Sequence, residues 1–268
     1  MVGAVVLAAS ALQKVFGDGS SPPPPAHSHT ESVTIPEGYD RSQIAELAKK
    51  DGLTGDYEKA SESFKGFDLA KYGAEDPSSL EGFLFPATYE LPHRPSVEDL
   101  ISRQLDAFAQ NMSRVDMSYA KSKNLTPYDV LTIASMIERE VQVPDERKLV
   151  AAVIYNRLSQ GMQLQIDATI RYAEGNYTKP LTESDLQIDS PYNTYTNLGL
   201  PPTPIGNPGL ASIEAAAHPA SVDYLYYVVK PCGNGEHYFT SSYDAFQQAQ
   251  QRYESARLAN GGRSPESC

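Results

Sequence analysis

Hydrophobic positions along the chain switch repeatedly between a period of two and a period near 3.6. Ser32 to Ile35 alternates as a short strand does, and Pro36-Glu37-Gly38-Tyr39 then turns the chain. Ile44, Leu47 and Ala48 recur at helical spacing, with Gly52 as a C-terminal stop. A second short helix is expected over 56–64. The stretch 80–92, LEGFLFPATYELP, is aromatic and broken by proline, and reads as an ordered connection. Ser96 then caps a helix with acids in its first turn and Leu100, Leu105 and Phe108 on its apolar side. Thr126-Pro127-Tyr128-Asp129 is the strongest helix start, with Thr as cap and Pro at the first helical position. The helix VLTIASMIEREV follows and ends before Pro144. Another, over 145–158, presents Leu149, Ala152, Val153 and Tyr155.

The stretch 164–207 is rich in Asn, Thr, Tyr and Pro, and reads as short helices and long loops. Pro208-Gly209 introduces a helix over LASIEAAAH. The runs 224–230 and 236–240 flank the turn PCGNG as a β-hairpin, and 242–258 closes the chain as a helix. The first strand and its two small helices form a compact α+β module. Ahead of it, 17–30 is a proline-rich linker. The apolar run at 1–16 is shorter than the ~20 residues of a membrane helix. It also lacks the basic start of a signal peptide, so a short amphipathic helix through Leu7, Ala11, Leu12 and Val15 is the preferred reading. A membrane anchor is therefore expected to be absent from this chain.

Net charge of -12 argues against a nucleic-acid partner, which needs a basic surface. It gives no attraction to an anionic polymer either. The 17 tyrosines, with no tryptophan, offer flat faces with a polar tip, as suits a sugar ligand. No HExxH motif or Cys/His cluster is present, so neither a metal nor another cofactor is expected. Cys232 and Cys268 are the two cysteines; free thiols are preferred over a disulfide.

Chemistry is expected first on the helix through Ile137. Its apolar centre runs through Ala134, Ile137 and Val141, with Thr132, Ser135 and Arg139 opposite. Glu138 and Glu140 sit at the two edges of the apolar stripe. A carboxyl beside apolar surface has its charged form disfavoured, as a general acid requires. Solvated rim glutamates paired with Arg139, Arg147 or Lys148 fit the pattern more often. Periodicity does not choose between the two. A second constellation is 163–169, QLQIDAT, where polar and apolar residues alternate as in a segment lining a cleft; Asp167 is equally a helix cap. A third is Tyr192, Asn193 and Tyr195 with Asn207, which joins stacking faces to amides. Turn chemistry explains the Asn and Pro residues there equally well.

At these residues the chain resembles the MltG-type (YceG-like) endolytic murein transglycosylases. The likeness rests on IASMIEREV, DERKLVAAVIYNRLSQGMQLQIDATIRYAEG, DSPYNTYTNLGLPPTPIGNPGLASIEAAAHPA and the hairpin YLYYVVK…EHYFTSSYDAF. VTIPEG…QIAEL and LEGFLFPATYEL resemble the family's LysM-like portion and its bridge. The resemblance implies an α+β fold: a LysM-like lobe over 31–92, a larger mixed α/β catalytic lobe over 93–258, and a disordered tail over 259–268. It places Glu138 as the catalytic acid, and Gln165, Asp167, Thr169, Tyr192, Asn193, Tyr195 and Asn207 in the substrate cleft. Ala87 departs from the family's pattern, and the family's N-terminal transmembrane helix is missing.

The implied activity is cleavage within peptidoglycan glycan strands, at the extracytoplasmic face of the bacterial membrane, with the cell-wall synthesis complex as an implied partner. One carboxylic acid suffices, because the 6-hydroxyl of the muramyl sugar replaces water and leaves a 1,6-anhydro end. Two other readings stand beside it. A two-carboxylate hydrolase would use Glu138 with Asp167 or Glu140. A silent glycan-binding protein would bind without cleaving.

Overall fold

The computed structural model describes residues 31–75 and 77–265. The expected N-terminal helix and linker, and Cys268, lie outside the described residues. Strand β1 (Glu31–Thr34) turns Val33 inward, and Ile35 is buried just beyond it. Helix α1 (Arg41–Lys50) starts at a capping box in which Asp40 accepts the Gln43 N–H while the Gln43 side chain accepts the Asp40 N–H. Helix α2 (Tyr57–Ala60) is shorter than expected. Strand β2 (Thr88–Leu91) lies within the segment read as a connection, and pairs antiparallel with β1. Its four-residue alternation, Tyr89 and Leu91 in, Thr88 and Glu90 out, is hidden inside a longer aromatic run.

Helix α3 (Val97–Met112) has the expected Ser96 cap, here a capping box with Asp99. Helix α4 (Ser118–Ser122) is short and carries no clear sequence signal. Between α2 and α3, Phe67, Tyr72 and Phe83 form an aromatic cluster against Phe108 of α3; the closest rings are 5.1 Å apart.

Helix α5 (Pro127–Glu140) begins at Thr126 as its motif predicts. Every residue from Val130 to Ile137 is buried. The edge carrying Thr132, Ser135 and Arg139 is covered as well. Ser135 Oγ accepts the Ile205 N–H at 2.9 Å. Arg139 reaches from α5 to Asp40 at 3.3 Å and Gln43 at 2.9 Å beside α1.

A 3-10 turn (Pro144–Glu146) leads into α6 (Arg147–Ser159), followed by α7 (Asp167–Glu174) and α8 (Leu210–Ala217). The hairpin of β3 (Tyr226–Val229) and β4 (His237–Thr240) and helix α9 (Tyr243–Ala259) complete the chain. The fold is α+β: among the described residues, each sheet is one antiparallel pair. A single buried apolar cluster extends from Val33 to Ala217 and includes residues on both sides of Pro92.

Cys232 is disulfide-bonded, which corrects the free-thiol reading. Composition could not reveal that Pro265 lies against the hairpin turn. The Cys232 N–H donates to Pro265 O at 2.8 Å, and Tyr253 bonds Ser264 at 3.2 Å. The segment expected as a disordered tail therefore makes contacts as far as Pro265. No described helix is long and apolar enough to cross a membrane.

Candidate active site

The last turn of α5 carries Glu138 and Glu140 into different surroundings, because successive helical residues are about 100° apart. Glu138 is packed against protein, its side chain only 7 % exposed. Its Oε2 accepts the Gly209 N–H at 3.0 Å, and Arg147 Nη2 lies 3.8 Å from Oε1. Gly209 is the N-cap of α8, so Glu138 supplies an acceptor and a negative charge where that helix exposes N–H groups. The nearby Glu37 carboxyl has its pKa raised, first by burial and then by Glu138, with Arg147 opposing. Glu138 thus ties α5 to α6 and α8.

Glu140 instead borders a cavity of about 460 Å³ between the C-terminus of α5, the 164–167 segment, the hairpin and α9. Its Oε1 accepts the Ala168 N–H at 3.2 Å, and its Oε2 accepts the Tyr227 hydroxyl at 3.1 Å. Burial pushes its pKa up to about 7. The charge of Asp167 adds to that shift, while the two hydrogen bonds and Arg171 oppose it.

Three of the sequence-predicted residues meet Glu140 here. Gln165 and Asp167 are exposed while Leu164 and Ile166 are buried, which is the alternation expected of a cleft-lining segment. Gln165 adopts φ +52, a left-handed conformation uncommon outside glycine, and its N–H is held by Thr194 O at 3.0 Å. Asp167 accepts a hydrogen bond from the Tyr195 hydroxyl, and the apolar body of Tyr195 forms part of the wall.

The other predicted residues are placed elsewhere. Asn193 is fully buried: its amide donates to Leu186 O at 3.1 Å and Ile188 O at 2.9 Å, and its carbonyl accepts the Tyr195 N–H at 2.9 Å. It shapes the loop that presents Tyr195. Thr169 is buried too, bonded to Ile166 O at 2.7 Å and to Thr194 at 3.0 Å. Tyr192 lines a separate cavity with Tyr172, Tyr177 and Glu81, and its hydroxyl meets Thr203 at 2.8 Å. Asn207 is a joint. Its carbonyl accepts the Gly82 and Leu84 N–H groups, each at 2.9 Å, and its amide donates to Tyr39 O and to Glu81 Oε1. Burial pushes the Glu81 carboxyl up to about 7 as well. Asn and Thr side chains at loop positions were equally suited to bonding backbone, and in this fold they do so.

Several cavity residues escaped the sequence reading. Arg157 of α6 donates to Leu225 O and Leu164 O, both at 2.7 Å, and so joins the hairpin to the 163–165 segment. Tyr226, Tyr227 and His237 of the hairpin, with Tyr243 and Phe246 of α9, form an aromatic wall. Tyr226 and Phe246 stack with ring centroids 5.2 Å apart. The density of aromatics in YLYYVVK and EHYFTSSYDAF was the available signal, and hairpin periodicity absorbed it. Among the described residues, no group of three or more His, Cys, Asp or Glu is disposed to hold a metal ion.

Comparisons with known proteins agree with this architecture. The chain is 38% identical over 223 residues to an endolytic murein transglycosylase of Streptococcus pneumoniae, covering 74% of this chain and 40% of that protein. It is 41% identical over 182 residues to an endolytic murein transglycosylase of Bacillus subtilis, covering 66% of this chain and 49% of that one. The chain thus spans less than half the length of either curated relative. The crystal structure of a yceG-like protein from Listeria monocytogenes superposes with a TM-score of 0.70 at 32% sequence identity, covering 81% of this chain and 75% of the other. A model of the YceG-like family matches residues 9–252, which is most of the sequence, and the chain belongs to that family.

Proposed function

We propose that this chain is the catalytic part of an endolytic murein transglycosylase, with Glu140 rather than Glu138 as its acid. The observation that carries the assignment is convergence: Gln165, Asp167, Tyr195 and Tyr227 surround Glu140 at an open cavity, whereas Glu138 is enclosed between helices. The relatives' names supply the reaction class. The cavity is large enough for sugar rings, and its wall has aromatic faces on which they stack.

In this reading Glu140 is protonated as glycan binds, because its carboxyl titrates near 7. It gives its proton to the glycosidic oxygen as the bond to the muramyl anomeric carbon breaks. The muramyl 6-hydroxyl then attacks that carbon and returns its proton to the Glu140 carboxylate. The acid is regenerated, no water is consumed, and the product end is a 1,6-anhydromuramyl sugar. The Tyr227 and Ala168 hydrogen bonds stabilise the carboxylate between the two transfers. Gln165 and the aromatic wall orient the strand. Peptidoglycan as substrate, an extracytoplasmic location and an association with wall synthesis belong to the same proposal.

The nearness of Asp167 favours a second reading, a hydrolase in which Asp167 activates water or forms the glycosyl intermediate. Mass spectrometry of products from purified peptidoglycan separates the two. Anhydromuramyl ends support the transglycosylase, reducing muramyl ends the hydrolase, and intact strands neither.

A further inference from the structure

His237 lies in the wall of the Glu140 cavity, and the reaction described above does not use it. It opens β4 and is 7 % exposed. Its backbone N–H donates to Glu146 Oε1 at 2.8 Å, and its Nδ1 lies 2.6 Å from Glu146 Oε2. Glu146 stands immediately before α6 and is itself buried. A carboxylate accepts hydrogen bonds and cannot donate them, so the hydrogen sits on Nδ1. With Nδ1 turned to Glu146, Nε2 is the ring nitrogen left for the cavity. The ring is also held edge-on against Tyr227, at 5.3 Å between centroids and 90° between planes. Tyr227 is the residue that donates to Glu140. The imidazole is therefore fixed in position and tautomer beside the proposed acid.

We propose that His237 is a substrate-binding residue whose Nε2 takes a hydrogen bond from a hydroxyl or amide N–H of the glycan, with Glu146 as the positioning residue that fixes the ring's tautomer. The proposal rests on reading the cavity as a glycan cleft.

Replacement by asparagine separates binding from structure. Asparagine reaches as far as Nδ1 and can keep the bond to Glu146, but it has nothing at Nε2. A purely structural histidine would tolerate it. The expected result for His237→Asn is a melting temperature near wild type, with kcat/KM lowered roughly 5- to 10-fold, the effect of one neutral hydrogen bond. Glu146→Gln should lower kcat/KM similarly, because glutamine has one acceptor oxygen where the two His237 donors need two.

The second measurement needs no turnover. In Glu140→Gln protein labelled with 15N-histidine, adding the peptidoglycan tetrasaccharide (GlcNAc-MurNAc)2 should shift the His237 Nε2 resonance and leave Nδ1 in place. This arm decides the matter even if His237→Asn fails to fold. An unmoved Nε2 with the glycan bound, or wild-type kcat/KM in His237→Asn, overturns the proposal while leaving the transglycosylase reading intact. Absence of both binding and cleavage by the wild-type chain overturns the two together.

Discussion

Tyr227, on the first strand of the hairpin, donates its hydroxyl to Glu140 Oε2 at 3.1 Å, across 87 positions of sequence. The bond favours the ionised carboxylate, whereas burial and Asp167 favour the neutral acid. Removing the hydroxyl therefore raises the Glu140 pKa, and removing the Asp167 charge lowers it. Tyr227→Phe should move the alkaline limb of the pH–rate profile to higher pH, and Asp167→Asn should move it to lower pH. The profile of anhydromuramyl product formation reads both, and shifts in the same direction would contradict this account of the acid.

Glutamine substitution distinguishes the two glutamates. Glu140→Gln removes the proton donor and should cost at least ~10²–10⁴-fold in rate, the usual span of general acid–base help. Glu138→Gln can keep an oxygen on the Gly209 N–H and loses only its charge beside Arg147. Its activity should stay within about tenfold of wild type, with a stability loss on the order of 1 kcal/mol. Product assays and thermal melts on both variants check this. The reverse pattern of activities would return the catalytic role to Glu138.

The same carboxyl sets a pH dependence of stability. Glu140 titrates near 7 in the folded protein against a reference value of 4.5. Between those values the folded state holds the proton more tightly than the unfolded state, so the group contributes a stability that falls as pH rises through the window. Glutamine avoids the loss, since it can accept from Ala168 and donate to the Tyr227 oxygen. Glu140→Gln should match wild type at pH 4 and exceed it at pH 8, by on the order of 1–3 kcal/mol. Urea melts at the two pH values measure the difference, and equal gaps at both would refute the shift.

Asn207 is the third point of leverage. Alanine there strands the buried Gly82 and Leu84 N–H groups and removes the donor to Glu81. Unfolding free energy should drop by about 2–4 kcal/mol. Below the new melting point the folded variant should keep cleaving glycan, because Asn207 does not line the Glu140 cavity. A full loss of turnover with unchanged stability would point instead to a substrate contact.

Much of the chain is legible from local sequence signals. The capping signals at Ser96 and Thr126 start α3 and α5, and the turn PCGNG lies between β3 and β4. Caps and turns act within a few residues, so their information is local. The alternation through 163–167 likewise placed Gln165 and Asp167 on an open edge. Strand β2 was missed because its four-residue signal sits inside an aromatic run, and it becomes a strand only by pairing with β1.

The sequence by itself determined which residues could carry acid chemistry: two glutamates at the edges of one apolar stripe, and a polar segment 25 residues on. Which glutamate meets that segment was a matter of tertiary structure. Glu138 is closed in by the N-termini of α6 and α8, and Glu140 is left facing the hairpin and the start of α7. Tertiary structure also turned Asn193 and Asn207 inward and brought His237 to Glu146. A helix period fixes the angle between neighbouring side chains. What covers each direction depends on segments distant in sequence, and that covering decides which carboxyl ties helices together and which borders the cavity.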